Sequence, residues 1–183
     1  MTPYLKKSKR VLICVSELYN ARELFGTIKV LKENGIAIDV VSGQIYIQDE
    51  NSPKQLRLKM TYETLDTQDI TNRYDGVICV SGALKPTMAQ WKNKVIQDIV
   101  QQMNAAGKVC AGICCAAPSV GPAMKGKRVA TYDTIRAKDW CEINGAILTG
   151  KTMEIDGNVI TAANEQKTED WAEAIVQFLI KGE

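Results

Sequence analysis

The stretch Gly112-Ile113-Cys114-Cys115-Ala116-Ala117-Pro118 carries residue types and a spacing that could do chemistry. A short apolar strand ends at a thiol, and small residues with a proline follow at once. This is how a sharp strand-to-helix turn is written, with small residues two before and two after the nucleophile so that backbones can pass. Gly112 and Ala116 meet that need around Cys114. A thiol so placed lies at a helix N-terminus, where unpaired N–H groups and the helix dipole favour thiolate over thiol. The same stretch also reads as a buried strand that merely contains cysteine, a residue at home in cores.

The chain has no histidine. That excludes Ser-His-Asp and Cys-His catalysis and the usual histidine-containing zinc sites. Acid–base work falls to carboxylate, thiol, tyrosine, lysine or water. No motif calls for a metal or another cofactor. Glu23, in the first turn of a helix, reads either as a favourable charge–dipole placement or as a carboxyl that hydrogen-bonds a thiolate. Gly82 suits a loop whose N–H approaches a developing oxyanion, or a plain turn.

Bringing these groups together needs a particular set of elements. Val11–Val15 is a continuous apolar run, as expected of a strand covered on both faces. An amphipathic helix over about Ala21–Asn34 follows, with Leu24, Phe25, Ile28 and Leu31 at helical spacing. Ile36–Val41 and Val77–Val80 read as further strands, and Gly43–Thr67 as a hairpin or edge excursion. One long helix is predicted over about Thr87–Ala106, then the cysteine strand and a short helix cut near Gly121-Pro122. Arg128–Thr131 reads as a strand and Met153–Thr161 as a hairpin turning at Asp156-Gly157. A final helix runs from Thr168, read as its N-cap, to Ile180, burying Trp171, Ile175, Phe178 and Leu179. Trp91, Trp140 and Trp171 read as core or interface residues. This alternation predicts a three-layer α/β sandwich, flavodoxin-like, with a mostly parallel sheet and helices on both faces. In such a sheet the carboxyl ends of the strands share one edge, where ligands bind. The loops Ser16–Asn20, Ser81–Pro86 and the cysteine turn all leave that edge, so Glu23, Gly82 and Cys114 should meet there.

The 183 residues are expected to form one domain, 1–183, with 45% hydrophobic and 24% charged residues as in ordinary globular chains. A formal charge of +2 from 23 basic and 21 acidic residues gives no case for nucleic acid as a partner. Only Lys6-Lys7-Ser8-Lys9-Arg10 gathers basic residues, as a solvated lead-in. The polar, basic Met1–Arg10 is no export leader and no apolar run is long enough for a bilayer, so a cytoplasmic location and no membrane partner are expected. Six cysteines in such a chain point to free thiols. Cys14, Cys79 and Cys110 lie in apolar runs and read as inert core.

Several blocks together resemble the ThiJ/PfpI superfamily, relatives of the class I glutamine amidotransferase fold and of the Parkinsonism-associated stress protein. Val11–Leu24 is similar to the family's first strand and the loop bearing its glutamate, which falls on Glu23. Tyr74–Gly82 resembles "YDALVIPGG", with the oxyanion-loop glycine at Gly82, and Gly107–Cys114 resembles "GKPVAAIC". Lys125–Tyr132 and Asp156–Thr161 match later blocks. Departures are specific: Cys115 stands where members often have histidine, Val80-Ser81-Gly82 replaces the "PGG" turn, and Ala162-Ala163-Asn164-Glu165 replaces a glycine-rich turn. Pro118 keeps the family's cysteine–proline spacing only from Cys115, a competing register. Cys114 is favoured, because Cys115 would put bulky Ile113 at the crowded position.

The resemblance implies a cysteine-dependent enzyme for small carbonyls, of glyoxalase or hydrolase type, acting on a 2-oxoaldehyde such as methylglyoxal or on its adducts. Cys114 would be the nucleophile and Glu23 the acid–base. The N–H groups of Gly82 and Cys115 would form an oxyanion hole, and Tyr132, Asn20 and Ser81 would line the pocket. Lowering a thiol pKa from about 8.5 to about 6 needs roughly 3.4 kcal/mol of preference for thiolate, which a helix N-terminus and a charge-assisted hydrogen bond together can supply. Two other outcomes stay open: a stress-response redox sensor using the oxidisable cysteine, and a non-catalytic binding module on the same fold. A homodimer is the expected assembly.

Overall fold

A computed structural model describes residues 8–182. Lys6 and Lys7 of the basic lead-in lie outside them. In chain order the elements are β1 (Arg10–Val15), β2 (Leu18–Tyr19), α1 (Ala21–Glu33), β3 (Ala37–Ser42), β4 (Tyr46–Asp49), β5 (Gln55–Arg57) and β6 (Met60–Thr61). Next come α2 (Ile70–Arg73), β7 (Gly76–Val80), α3 (Leu84–Trp91), α4 (Lys94–Ala105) and β8 (Val109–Ile113). A tight 3₁₀ segment, Cys114–Ala123, then leads to β9 (Arg128–Val129), α5 (Ile135–Ile143) and β10 (Ile147–Leu148). The chain ends with β11 (Met153–Asp156), β12 (Val159–Ala162) and α6 (Thr168–Lys181).

The central sheet has seven strands in the order β11-β12-β8-β7-β1-β3-β6. All neighbours run parallel except the edge hairpin β11–β12, so the mostly parallel α/β sandwich is the observed fold. The alternation of side chains along each strand explains its two cores. Val11, Ile13 and Val15 of β1 face α1 and α6, packing with Leu24, Leu31, Trp171 and Ile175. Leu12 and Cys14 face the other side with Cys79, Cys110 and the Ile96, Ile99 and Met103 stripe of α4. The middle strands therefore read as unbroken apolar runs, because both faces are covered.

The sequence reading needs four adjustments. The long helix predicted over Thr87–Ala106 is two, because Asn93 Oδ1 accepts from the Val95 and Ile96 amides and starts α4 afresh. Thr168 is not the N-cap of α6 but its first residue, and its hydroxyl bonds back to the Glu165 carbonyl oxygen at 2.7 Å. Arg128–Val129 lies outside the main sheet and pairs with β10 instead. The Gly43–Thr67 excursion is divided: β4 and β5 join β2 in a small separate sheet, while β6 extends the main one. The hairpin at Asp156-Gly157 forms as read, with Asp156 opposite Val159 and Gly157 at φ +63°.

Candidate active site

Three strand ends converge here, β1, β7 and β8, which are adjacent in the sheet. β8 ends at Ile113, and Cys114 turns the chain with φ +55°, a left-handed conformation that a side chain resists. Gly112 makes the turn possible, since a Cβ there would lie 2.7 Å from the Ala117 Cα. This is the crowding expected two residues before an elbow, and it sets the register on Cys114. Cys114 alone among the six cysteines is not buried. Trp91 holds the following segment in place: its indole N–H donates to the Cys115 carbonyl oxygen at 2.7 Å.

Glu23 reaches the same point from α1. Asn20 caps that helix, its Oδ1 accepting from the Glu23 N–H at 3.0 Å. The Glu23 side chain is fully buried, and its Oε2 accepts from the Ser81 N–H at 2.9 Å and the Ser81 hydroxyl at 2.6 Å. Burial pushes its carboxyl up to about 8, against the pull of those two Ser81 hydrogen bonds. Both bonds to Oε2 need it as an acceptor, so the proton of the neutral acid sits on Oε1. That atom is buried without a partner of good hydrogen-bond geometry, and an interaction with the Cys114 side chain also bears on the carboxyl.

The two thiols hydrogen-bond each other and titrate as one unit. The first proton leaves at about 7, chiefly because the Cys114 thiol can donate to a Cys115 sulfur anion, with help from Ser81 and the Cys115 N–H. The second is held far above the ordinary thiol range, first by that same hydrogen bond and then by burial and the neighbouring charges. The Cys115 Sγ also donates to the Gly82 carbonyl oxygen at 3.6 Å, a contact that only its protonated form makes. Cys115 is thus the sulfur that ionises first, with the Cys114 thiol as its hydrogen-bond donor, and Cys114 is the one open to the cleft. The core thiols behave differently: burial alone pushes Cys110 up to about 12.

The site residues named from sequence all line one cleft of about 400 Å³: Asn20, Glu23, Ser81, Gly82, Cys114, Cys115 and Tyr132. One expected role does not fit the geometry. The Gly82 N–H is not free for an oxyanion, because it donates to the Thr87 hydroxyl at 3.2 Å. Gly82 is required for another reason: a Cβ there would lie 1.7 Å from the Leu18 carbonyl oxygen, where Gly82 bridges to Tyr19. The Cys115 N–H, by contrast, points at the sulfurs and favours their ionised form. Sequence reasoning missed Glu50 and Glu165, which line the cleft and accept from the Asn20 amide at 2.8 and 2.7 Å. Glu165 lay in the stretch marked as unlike a glycine-rich turn; Glu50 gave no local signal. Among the described residues no cluster of acidic, histidine or cysteine side chains could hold a metal ion.

A parallel α/β sheet with a strained cysteine elbow and a buried glutamate beside it defines a class of proteins with a thiol at the strand edge. Residues 9–178 match the DJ-1/PfpI family, and the chain belongs to that family. An uncharacterised protein of Archaeoglobus fulgidus is 29% identical over 155 residues, covering 84% of this chain and 88% of that one. Protein DJ-1 homolog A of Arabidopsis thaliana is 26% identical over 176 residues, 94% of this chain but 43% of that longer protein. Among solved structures, a ThiJ/PfpI domain protein from Brachyspira murdochii superposes with a TM-score of 0.83 at 19% identity, covering 96% of this chain and 98% of that one. Drosophila melanogaster DJ-1beta gives 0.76 at 22% identity, covering 94% and 90%. At these identities the likeness of structures establishes the fold. No helix among the described residues is long and apolar enough to cross a membrane.

Proposed function

We propose that this protein is a cysteine-dependent enzyme acting on small carbonyl compounds, with 2-oxoaldehydes as its substrates. The observation that carries this reading is the fully buried Glu23 carboxyl, protonated below about 8, with its unpartnered oxygen at the elbow thiol. The Cys114 sulfur adds to the aldehyde carbon, and the carbonyl oxygen takes the proton from Glu23 Oε1. The resulting Glu23 carboxylate then removes the hydrogen of that carbon as a proton and returns it to the neighbouring carbon, while the hydroxyl proton on the first carbon passes to the neighbouring oxygen. The original aldehyde carbon becomes a thioester. Water cleaves the thioester to a 2-hydroxy acid and restores the thiol, so atoms balance as one aldehyde plus one water. Tyr132 and Asn20 bound the space in which the substrate turns, and a second copy of the chain is its partner. Ile135 and Ile143, exposed two turns apart on α5, support that assembly.

Methylglyoxal consumption by purified protein tests the reading. Cys114→Ala should abolish it, and Glu23→Gln should lower it about 10²- to 10⁴-fold, the range of a lost general acid–base. Unchanged turnover in Cys114→Ala would remove the reading. A second reading, oxidation sensing, is favoured by one fact: Cys114 is the single cysteine that is not buried. It predicts oxygen adducts at Cys114 after mild peroxide whether or not aldehydes are consumed.

A further inference from the structure

The cleft has two chemically different ends. At one end stand the thiols and the unpartnered Oε1 of the fully buried Glu23. At the other, Glu50 follows β4 and Glu165 precedes α6, and both carboxylates bind one nitrogen, Asn20 Nδ2, at 2.8 and 2.7 Å. An amide nitrogen has two hydrogens, so Asn20 is fully engaged and carries no charge to offset theirs. No lysine or arginine lines the cleft, and among the described residues no ion pair involves either carboxylate. Asn164, beside Glu165, adds an oxygen, Oδ1, that is buried without a partner. Glu50 and Glu165 therefore bring negative charge to the cleft, with only the neutral amides of Asn20, Asn164 and Gln166 beside them. Two carboxylates held on one neutral nitrogen repel each other, and their field reaches the reacting end, where Glu50 opposes ionisation of Cys115. A cation between them relieves both costs.

We propose that the substrate accepted by this cleft is a small carbonyl compound bearing a positively charged nitrogen, an ammonium or guanidinium group, whose N–H donors sit between Glu50 and Glu165. This rests on the reading of the cleft as a thiol active site and specifies its substrate class. Carbonyl compounds with a carboxylate or phosphate at that distance are repelled, and neutral 2-oxoaldehydes lie between the two.

Thiol labelling tests the charge preference without relying on turnover. Three methanethiosulfonate reagents, carrying a 2-ammonioethyl, 2-hydroxyethyl or 2-sulfonatoethyl group, share one reacting centre: the thiolate forms a disulfide and sulfinate leaves. Rates at Cys114 and Cys115, followed by peptide mapping and divided by those of a small free thiol, should favour the cationic over the anionic reagent by about tenfold or more at low salt. The ratio should shrink at high salt. Glu50→Gln and Glu165→Gln, which keep the acceptors for Asn20, should each lower it. Should these variants fail to fold, the salt dependence of the unaltered protein carries the test. A free-thiol ratio in the unaltered protein, a ratio untouched by salt and by both variants, or thiols that resist every reagent would overturn the proposal. Charge-selective labelling without methylglyoxal turnover would instead sink the catalytic reading and leave the cation preference standing.

Discussion

Ser81 shows how a single residue sets the acid–base balance of the site. Its N–H and hydroxyl both donate to Glu23 Oε2, and both favour the carboxylate. Without the hydroxyl, burial is less opposed and the Glu23 pKa rises. In Ser81→Ala the basic limb of the pH–turnover profile should accordingly move upward, since Glu23 keeps its proton to higher pH. A basic limb that stays in place would mean that Glu23 is not the acid that limb reports. Cys115 stands directly after the elbow thiol and lines the same cleft. Its sulfur hydrogen-bonds Cys114 and, when protonated, donates to the Gly82 carbonyl oxygen.

The elements matter because they force these residues together. Gly112 lets the chain fold back over β8, and the Cβ of an alanine there would meet Ala117 Cα at 2.7 Å. Gly112→Ala should cost about 1–3 kcal/mol in chemical denaturation and slow alkylation of Cys114, because the backbone must move at the elbow. Unaltered stability and alkylation would show that the turn has slack. The small–x–cysteine–x–small spacing made this elbow legible in the sequence, and the apolar runs of β1, β7 and β8 made the sheet legible. The break at Asn93 was not, because α3 and α4 continue one helical apolar pattern and only the side-chain cap separates them. The acidic end of the cleft was also hidden. Asn20, Glu50 and Glu165 are distant in sequence, and nothing local to any of them signals the shared hydrogen bonds.

At the scale of the whole molecule, the buried acid couples folding to pH. The folded protein holds the Glu23 proton up to about 8, while the unfolded chain releases it near 4.5. Between those values the unfolded state binds fewer protons, so this contribution is fully present below 4.5 and is lost as pH rises toward 8. From pH 5 to pH 7 the unaltered protein should therefore lose about 2–3 kcal/mol relative to Glu23→Gln, whose amide does not titrate. Parallel denaturation curves at the two pH values check this, and an equal pH dependence of both proteins would contradict it. The seven-stranded sheet provides the stability against which that cost is set. Its two apolar cores also keep Cys14, Cys79 and Cys110 away from solvent.

The central claim is a readily ionised thiol beside a protonated Glu23 at the bend after β8. Its most direct test is the pH dependence of iodoacetamide alkylation of the coupled pair, summed over Cys114 and Cys115 by peptide mapping in the folded protein. The account predicts a rate that rises through an inflection near 7, set by the first proton of the cysteine pair. An inflection at or above about 8.5, the value of a free thiol, would contradict it.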